Sequence, residues 1–292
     1  MLEPSANFLD VPALLERSMP RPRAWWPWYL LLAFAVLVMT TAVASARQTG
    51  VQVLINALSA LLMLGAVVLM GVVASNAVKR QRAEQQRVEA IEELVQLRRW
   101  DQAAAMLDSL LSQPTRTMGA RLQGLIYLAS VLARYHRFAD AITVQNYLLD
   151  HAQFDPGTGH GLKLMRTMAM LHEDQLFDVD RALGDLRREA PDSAGLALVE
   201  IYRDVKTGHA AEAIDIFQSR IPTLRAQLGH RVADAYALVA RAHEMLGQEA
   251  DAAAAFEKAT LLAPAEELYR RYPEVAAIRD KYPPAAMPQE AA

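Results

Sequence analysis

The sequence predicts an all-α protein: a two-helix membrane hairpin, then a curved stack (an α-solenoid) of about five helical hairpins with a C-terminal capping helix. Three observations predict this. Two uncharged apolar runs, 25–46 and 51–78, flank a polar interruption, SARQTGVQ at 45–52. From Gln81 onward apolar residues recur at i, i+3, i+4 and i+7, the period of one helix face, and strand signals are absent. Along that second part, alanine-led apolar stripes return every thirty to forty residues or so.

The totals agree with a small apolar part joined to a polar one. The chain has 292 residues, is 53% hydrophobic and carries a formal charge of −3. Its mean hydropathy is +0.06, high for a soluble protein and low for a multi-span transporter. No basic excess points to nucleic acid. Cysteine is absent, which excludes disulfides, thiolate nucleophiles and thiolate-held metals.

Residues 1–23 read as a short cytoplasmic lead. Within it Asp10 is placed to cap a brief helix through Ala13, Leu14 and Leu15, whose apolar residues suit a membrane surface. The hairpin occupies 24–78, with spans at about 25–46 and 52–76. Each run reaches the roughly 20 residues needed to cross a hydrocarbon core. Trp25, Trp26, Trp28 and Tyr29 stand where an interfacial aromatic belt belongs. Pro27 falls near the first turn, where a missing N–H costs least, and Gly71 and Ser75 share a face suited to close packing. Arg17, Arg21 and Arg23 precede the first run, and Lys79, Arg80, Arg82 and Arg87 follow the second, against Arg47 alone at the tip. That asymmetry puts both termini in the cytoplasm. Ala44-Ser45-Ala46 has the form of a signal-peptidase site, and its use would leave the second run as an anchor.

The most legible repeat is DAYALVARAHEMLGQEADAAAAFEKATLLAP, 234–264. Tyr236, Val239, Ala240 and His243 lie on one face of a first helix. Gly247 marks the turn. Ala252, Phe256 and Ala259 form the stripe of a second helix, and Pro264 ends it. Weaker copies place Trp100 and Ala103, Phe138 and Ala141, Ala182 with Leu186, and Ala213 with Phe217 at the start of second helices. The intervals from Ala103 through Ala141, Ala182 and Ala213 to Ala252 are 38, 41, 31 and 39. Residues 79–264 then form the repeat domain, with 265–292 as capping helix and flexible tail.

These residues resemble the tetratricopeptide repeat, a helix–turn–helix unit of about 34 residues. Tyr236, Ala240, Gly247, Ala252, Phe256, Ala259 and Pro264 stand at that family's signature positions. The resemblance implies a right-handed solenoid whose first helices line a concave side, and binding of a peptide or partner segment there.

Chemistry is not expected. His243-Glu244 lacks a second histidine one turn on, because Gly247 stands there. His160 and His172 are too far apart to serve a metal from one helical face, and GTGHG at 157–161 lacks the lysine–serine pair of a phosphate loop. Met165, Met168 and Met170 read as core filling. No catalytic, metal or cofactor residue is assigned. Taking Leu125, Leu128, Ala129 and Leu132 as one packing face leaves Arg134 toward a groove. Met165, Met168, Ala169 and His172 likewise leave Lys163 and Arg166. Leu198, Ile201, Tyr202 and Val205 leave Arg203 and Lys206, and the fifth unit leaves Arg241. Such a basic groove suits an acidic peptide or a carboxylate. The paired asparagines of the family's carboxylate clamp have no counterpart. The expectation is a membrane-anchored scaffold in contact with the bilayer and a protein partner, using neither nucleic acid nor a small-molecule substrate. Two rivals are an assembly factor with its repeats on the other side of the membrane, and an accessory subunit of an enzyme or transporter.

Overall fold

A computed structural model describes residues 8–20, 34–36, 40 and 51–282. Among these residues every regular element is helical, as the periodicity predicts. The chain divides into two compact units, Met1–Tyr135 and His136–Ala292, so the boundary falls inside the stretch read as one repeat domain.

The first unit holds α1 (Val11–Arg17), α2 (Val51–Gln96), α3 (Trp100–Leu111) and α4 (Met118–Arg134). Asp10 caps α1, accepting from the Ala13 N–H at 3.3 Å. Val11 and Leu14 of α1, and Leu9 just before it, are buried, and α1 packs on α3. Residues 9–18 are therefore part of the fold. Its C-terminal end is held by Arg121 of α4, itself 1% exposed. Nε of Arg121 donates to Ser18 Oγ at 3.0 Å and Nη2 to the Leu15 carbonyl at 2.8 Å. Thr115 Oγ1 donates to the Ser18 carbonyl at 2.9 Å. A guanidinium and a threonine hydroxyl thus each answer a carbonyl that a helix end leaves without an intrahelical partner.

The membrane reading is corrected here. Residues 25–46, the first expected span, lie outside the described residues except for 34–36 and 40, as does most of the tip. Among the described residues no helix is long and apolar enough to cross a membrane. That finding overturns the two-span placement with both termini in the cytoplasm. Helix α2 continues without a break through Lys79, Arg80 and Arg82. Leu61, Leu64, Val68, Leu69 and Val72 are exposed. Farther on, Val88 and Ile91 are buried, and the Glu84 carboxylate accepts from the Arg116 N–H at 2.9 Å and the Thr117 hydroxyl at 3.3 Å.

The second unit holds α5 (Phe138–His151), α6 (Pro156–His172), α7 (Leu176–Glu189), α8 (Ala194–Thr207), α9 (Ala210–Leu228), α10 (Val232–Met245), α11 (Glu249–Leu262) and α12 (Ala265–Arg271). A 3₁₀ turn, Gly229–Arg231, joins α9 to α10, and another, Pro273–Ile278, follows α12. Helices α6, α8 and α10 neighbour one another in a row, and each packs on the helix that follows it, α7, α9 or α11.

One turn recurs five times. Arg98, His136, Asp174, Gly208 and Gly247 all have positive φ, between 56° and 86°, and each stands two residues before the start of α3, α5, α7, α9 or α11. In four of these turns the next N–H closes back on a carbonyl five residues earlier: Arg99 on Leu94, Gln175 on Met170, His209 on Asp204 and Gln248 on His243, at 2.8–3.0 Å. This is the Schellman closure of a helix C-terminus. The helices that begin there have no side-chain cap. An acidic residue in each first turn (Asp101, Asp140, Asp178, Glu212, Asp251) favours the positive end of the helix dipole instead. By contrast α4, α6 and α8 start on side-chain caps, Thr117, Asp155 and Ser193.

The turns also set the repeat register. Five residues beyond each positive-φ position stand Ala103, Ala141, Val179, Ala213 and Ala252, all fully buried. The third unit is thus anchored by Val179, three residues before the expected Ala182, and the turn positions are spaced 38, 38, 34 and 39 apart. Ala240, Phe256 and Ala259 are buried and Tyr236 nearly so. Trp100, Phe138 and Phe217 are partly exposed, and Pro264 precedes α12 as its cap residue.

Candidate functional site

The polar residues of the second unit converge on the row α6, α8 and α10, where the chain's own C-terminal segment crosses it. His172 is the last residue of α6. Its ring lies on that of Phe138, centroids 4.2 Å apart and planes 6° from parallel. Tyr202 and Lys206 are one turn apart on α8, so both side chains reach the same place. Tyr272 and Glu274 come from the segment that follows α12.

The contacts form a chain. His172 Nδ1 and the Tyr202 hydroxyl are 3.3 Å apart. That hydroxyl donates to Glu274 Oε1 at 3.3 Å. Lys206 Nζ is 3.5 Å from the same oxygen and 2.9 Å from Asp174 Oδ1, and it donates to the Leu171 carbonyl. The Tyr272 ring meets the Tyr202 ring edge-on at 5.1 Å. Beside them Arg271 pairs with Asp234 of α10, which is 0% exposed, and with Glu267 at 2.7 Å.

Burial shapes the protonation of this group. It pulls the His172 pKa down to about 4, with help from the positive charge of Lys206 and from His136, against the opposing Asp174. A neutral imidazole at physiological pH follows. Burial pushes the Tyr202 phenol up, and the Glu274 carboxylate pushes it further. Tyr272 is likewise raised by burial and then by Asp234. Both phenols are therefore hydrogen-bond donors and hydrophobic plates. Such a site holds a carboxylate against a lysine and a tyrosine, and it seats an aromatic ring. Among the described residues no group of three or more His, Asp or Glu side chains is arranged to hold a metal ion.

Of the six basic residues expected in a groove, Lys206 alone joins this cluster. Lys163 pairs with Glu189 of α7. Arg166 donates to Asn146 Oδ1 of α5 at 3.1 Å. Arg203 pairs with Asp180 at 3.1 Å and Asp204 at 2.8 Å, and Arg241 pairs with Glu244. Arg134 belongs to the first unit, where its guanidinium lies 5.8 Å from the Trp100 ring centroid. Trp100 in turn lines an open recess with Arg98, Arg99, Asp101, Gln102 and Tyr135. Sequence reasoning assigned no role to Tyr272 and Glu274. The signal was the tripeptide Tyr-Pro-Glu at 272–274, an aromatic and an acid held by a proline just after the last amphipathic helix.

No family model, curated protein or solved structure matches the chain.

Proposed function

We propose that this protein is a helical-repeat scaffold of the tetratricopeptide type that binds a segment of another protein on the α6, α8 and α10 row. The observation that carries the reading is the five-fold recurrence of a positive-φ turn with a buried alanine or valine at a fixed offset from it. A chain built by repeating such a hairpin buries its apolar faces by stacking and is left with a long surface of aligned first helices. That surface here bears Lys163, Arg166, Arg203, Lys206 and Arg241, a composition suited to an acidic segment. Affinity would come from a few aromatic and arginine contacts and not from area alone.

The test is affinity capture from an extract of the native source. The full chain serves as bait beside one carrying Arg166→Glu and Arg203→Glu. A partner held by the native chain and lost by the variant is the expected result. Equal recovery would remove the basic residues from the interface, and no specific recovery by either bait would overturn the scaffold reading.

A further inference from the structure

The C-terminal segment from Tyr272 to Tyr282 is a strap across the faces of α8 and α10. Tyr272, Val275 and Ile278 are 1%, 0% and 0% exposed, while Pro273, Ala276 and Ala277 between them face outward. Six residues of the strap, Pro273–Ile278, are regularly folded. Its only regular element is the short 3₁₀ turn, a form with poorer hydrogen-bond geometry than an α-helix. Side chains hold it: Glu274 on Tyr202 and Lys206, Tyr272 edge-on to Tyr202, and Lys281 on Glu244 of α10. It also satisfies its seat incompletely. Glu274 Oε2 and the Tyr282 hydroxyl are buried without a hydrogen-bond partner, and groups so placed lose their water without recompense. A segment anchored on one face at i, i+3 and i+6 by Tyr272, Val275 and Ile278, with an acid between them, is how a short helical peptide lies in a groove.

We propose that the α8–α10 face is a peptide-binding groove whose resident occupant is 272–282, and that a partner segment enters by displacing this strap. The idea rests on the scaffold reading above and specifies its ligand. The partner presents an aromatic residue, an acidic residue two positions later, and aliphatic residues spaced like Val275 and Ile278. Because the strap is tethered, it competes at a high effective concentration. The apparent affinity for an outside segment is lowered by the fraction of time the groove is closed.

The probe is a fluorescent peptide with the sequence of residues 270–282, followed by anisotropy. It is titrated into the full chain, the full chain with Tyr272→Ala and Glu274→Ala, and that double variant with Lys206→Glu added. The double variant is expected to bind at least about tenfold more tightly than the native chain, since its groove is open. Adding Lys206→Glu abolishes binding, and a peptide in which the glutamate is replaced by lysine regains it. Equal affinity of native and double-variant chains, or binding indifferent to the charge at 206, overturns the proposal. If the double variant loses helical signal, restoration of that signal by added peptide supports the groove, and failure to restore it rejects it. The measurement needs no outside protein. A negative result beside successful partner capture therefore removes this groove while the scaffold reading stands.

Discussion

His172 lies flat on Phe138, rings 4.2 Å apart, and this stacking joins the first residue of α5 to the last residue of α6. The contact puts an ionisable ring in a place that favours its neutral form. The Tyr202 hydroxyl stands on one side of the ring, with Lys206 and His136 adding positive charge nearby.

A pH dependence follows from that environment. The His172 pKa falls from 6.5 in the unfolded chain to about 4 in the fold. Between those values the unfolded chain binds a proton that the folded chain excludes, so stability drops as pH falls through this window and levels off below it. The loss from this one group is about 3 kcal/mol. In urea denaturation across the window, His172→Phe keeps the stacking and shows a shallower decline than the native chain. Parallel declines would mean that His172 is protonated in the fold.

Arg121 is expected to hold the N-terminal helix. Replacing it with leucine strands the Leu15 carbonyl and the Ser18 hydroxyl that it serves at 2.8 and 3.0 Å. The cost is about 2–4 kcal/mol for removing a buried charged donor from its acceptors. Hydrogen exchange at residues 9–18 should accelerate more than exchange in α3. Uniform acceleration of the whole unit would deny Arg121 this local role.

The glycine at the last turn should be hard to replace. Gly247 has φ +71°, and a side chain there costs about 1–2 kcal/mol. Gly184 sits inside α7 with open space where a Cβ would go, so Gly184→Ala stabilises by about 0.5–1 kcal/mol. Thermal unfolding of the two alanine variants should move in opposite directions.

The repeat register makes a further test possible. Val179 and Ala141 hold equivalent places and both are 0% exposed. Val179→Ala leaves a cavity costing about 1–3 kcal/mol, and Ala141→Val overpacks by a similar amount. Ala182→Ser, at 9% exposure, should cost clearly less than either. A larger loss at 182 than at 179 would restore the register that alanine spacing alone predicts.

Much of the helical part was legible in the residues because its causes are local. Gly247, Ala252, Phe256 and Ala259 declare a turn and a stripe through backbone freedom and helical spacing. The first three closing turns were hidden because Arg98, His136 and Asp174 adopt positive φ with side chains that do not advertise it. Val179 was overlooked since a β-branched residue replaces the expected alanine. Arg121 reads as an ordinary helix-surface cation, and its acceptors lie 103 and 106 residues away. The pairing of Glu274 with Lys206 and Tyr202 depends on a return of the chain that no periodicity records. Apolar runs near the start of the chain suggested a membrane hairpin, yet the described part of α2 passes into a charged, packed helix.

A linear array of hairpins senses only its neighbours, so its last members ordinarily come apart first. Here the hydrogen bond from Tyr202 to Glu274 spans 72 residues. It ties the segment after α12 to a helix two hairpins back. While the strap is seated, loosening the final hairpin therefore disturbs α8 as well, and the stretch from α8 to α11 should melt as one cooperative block.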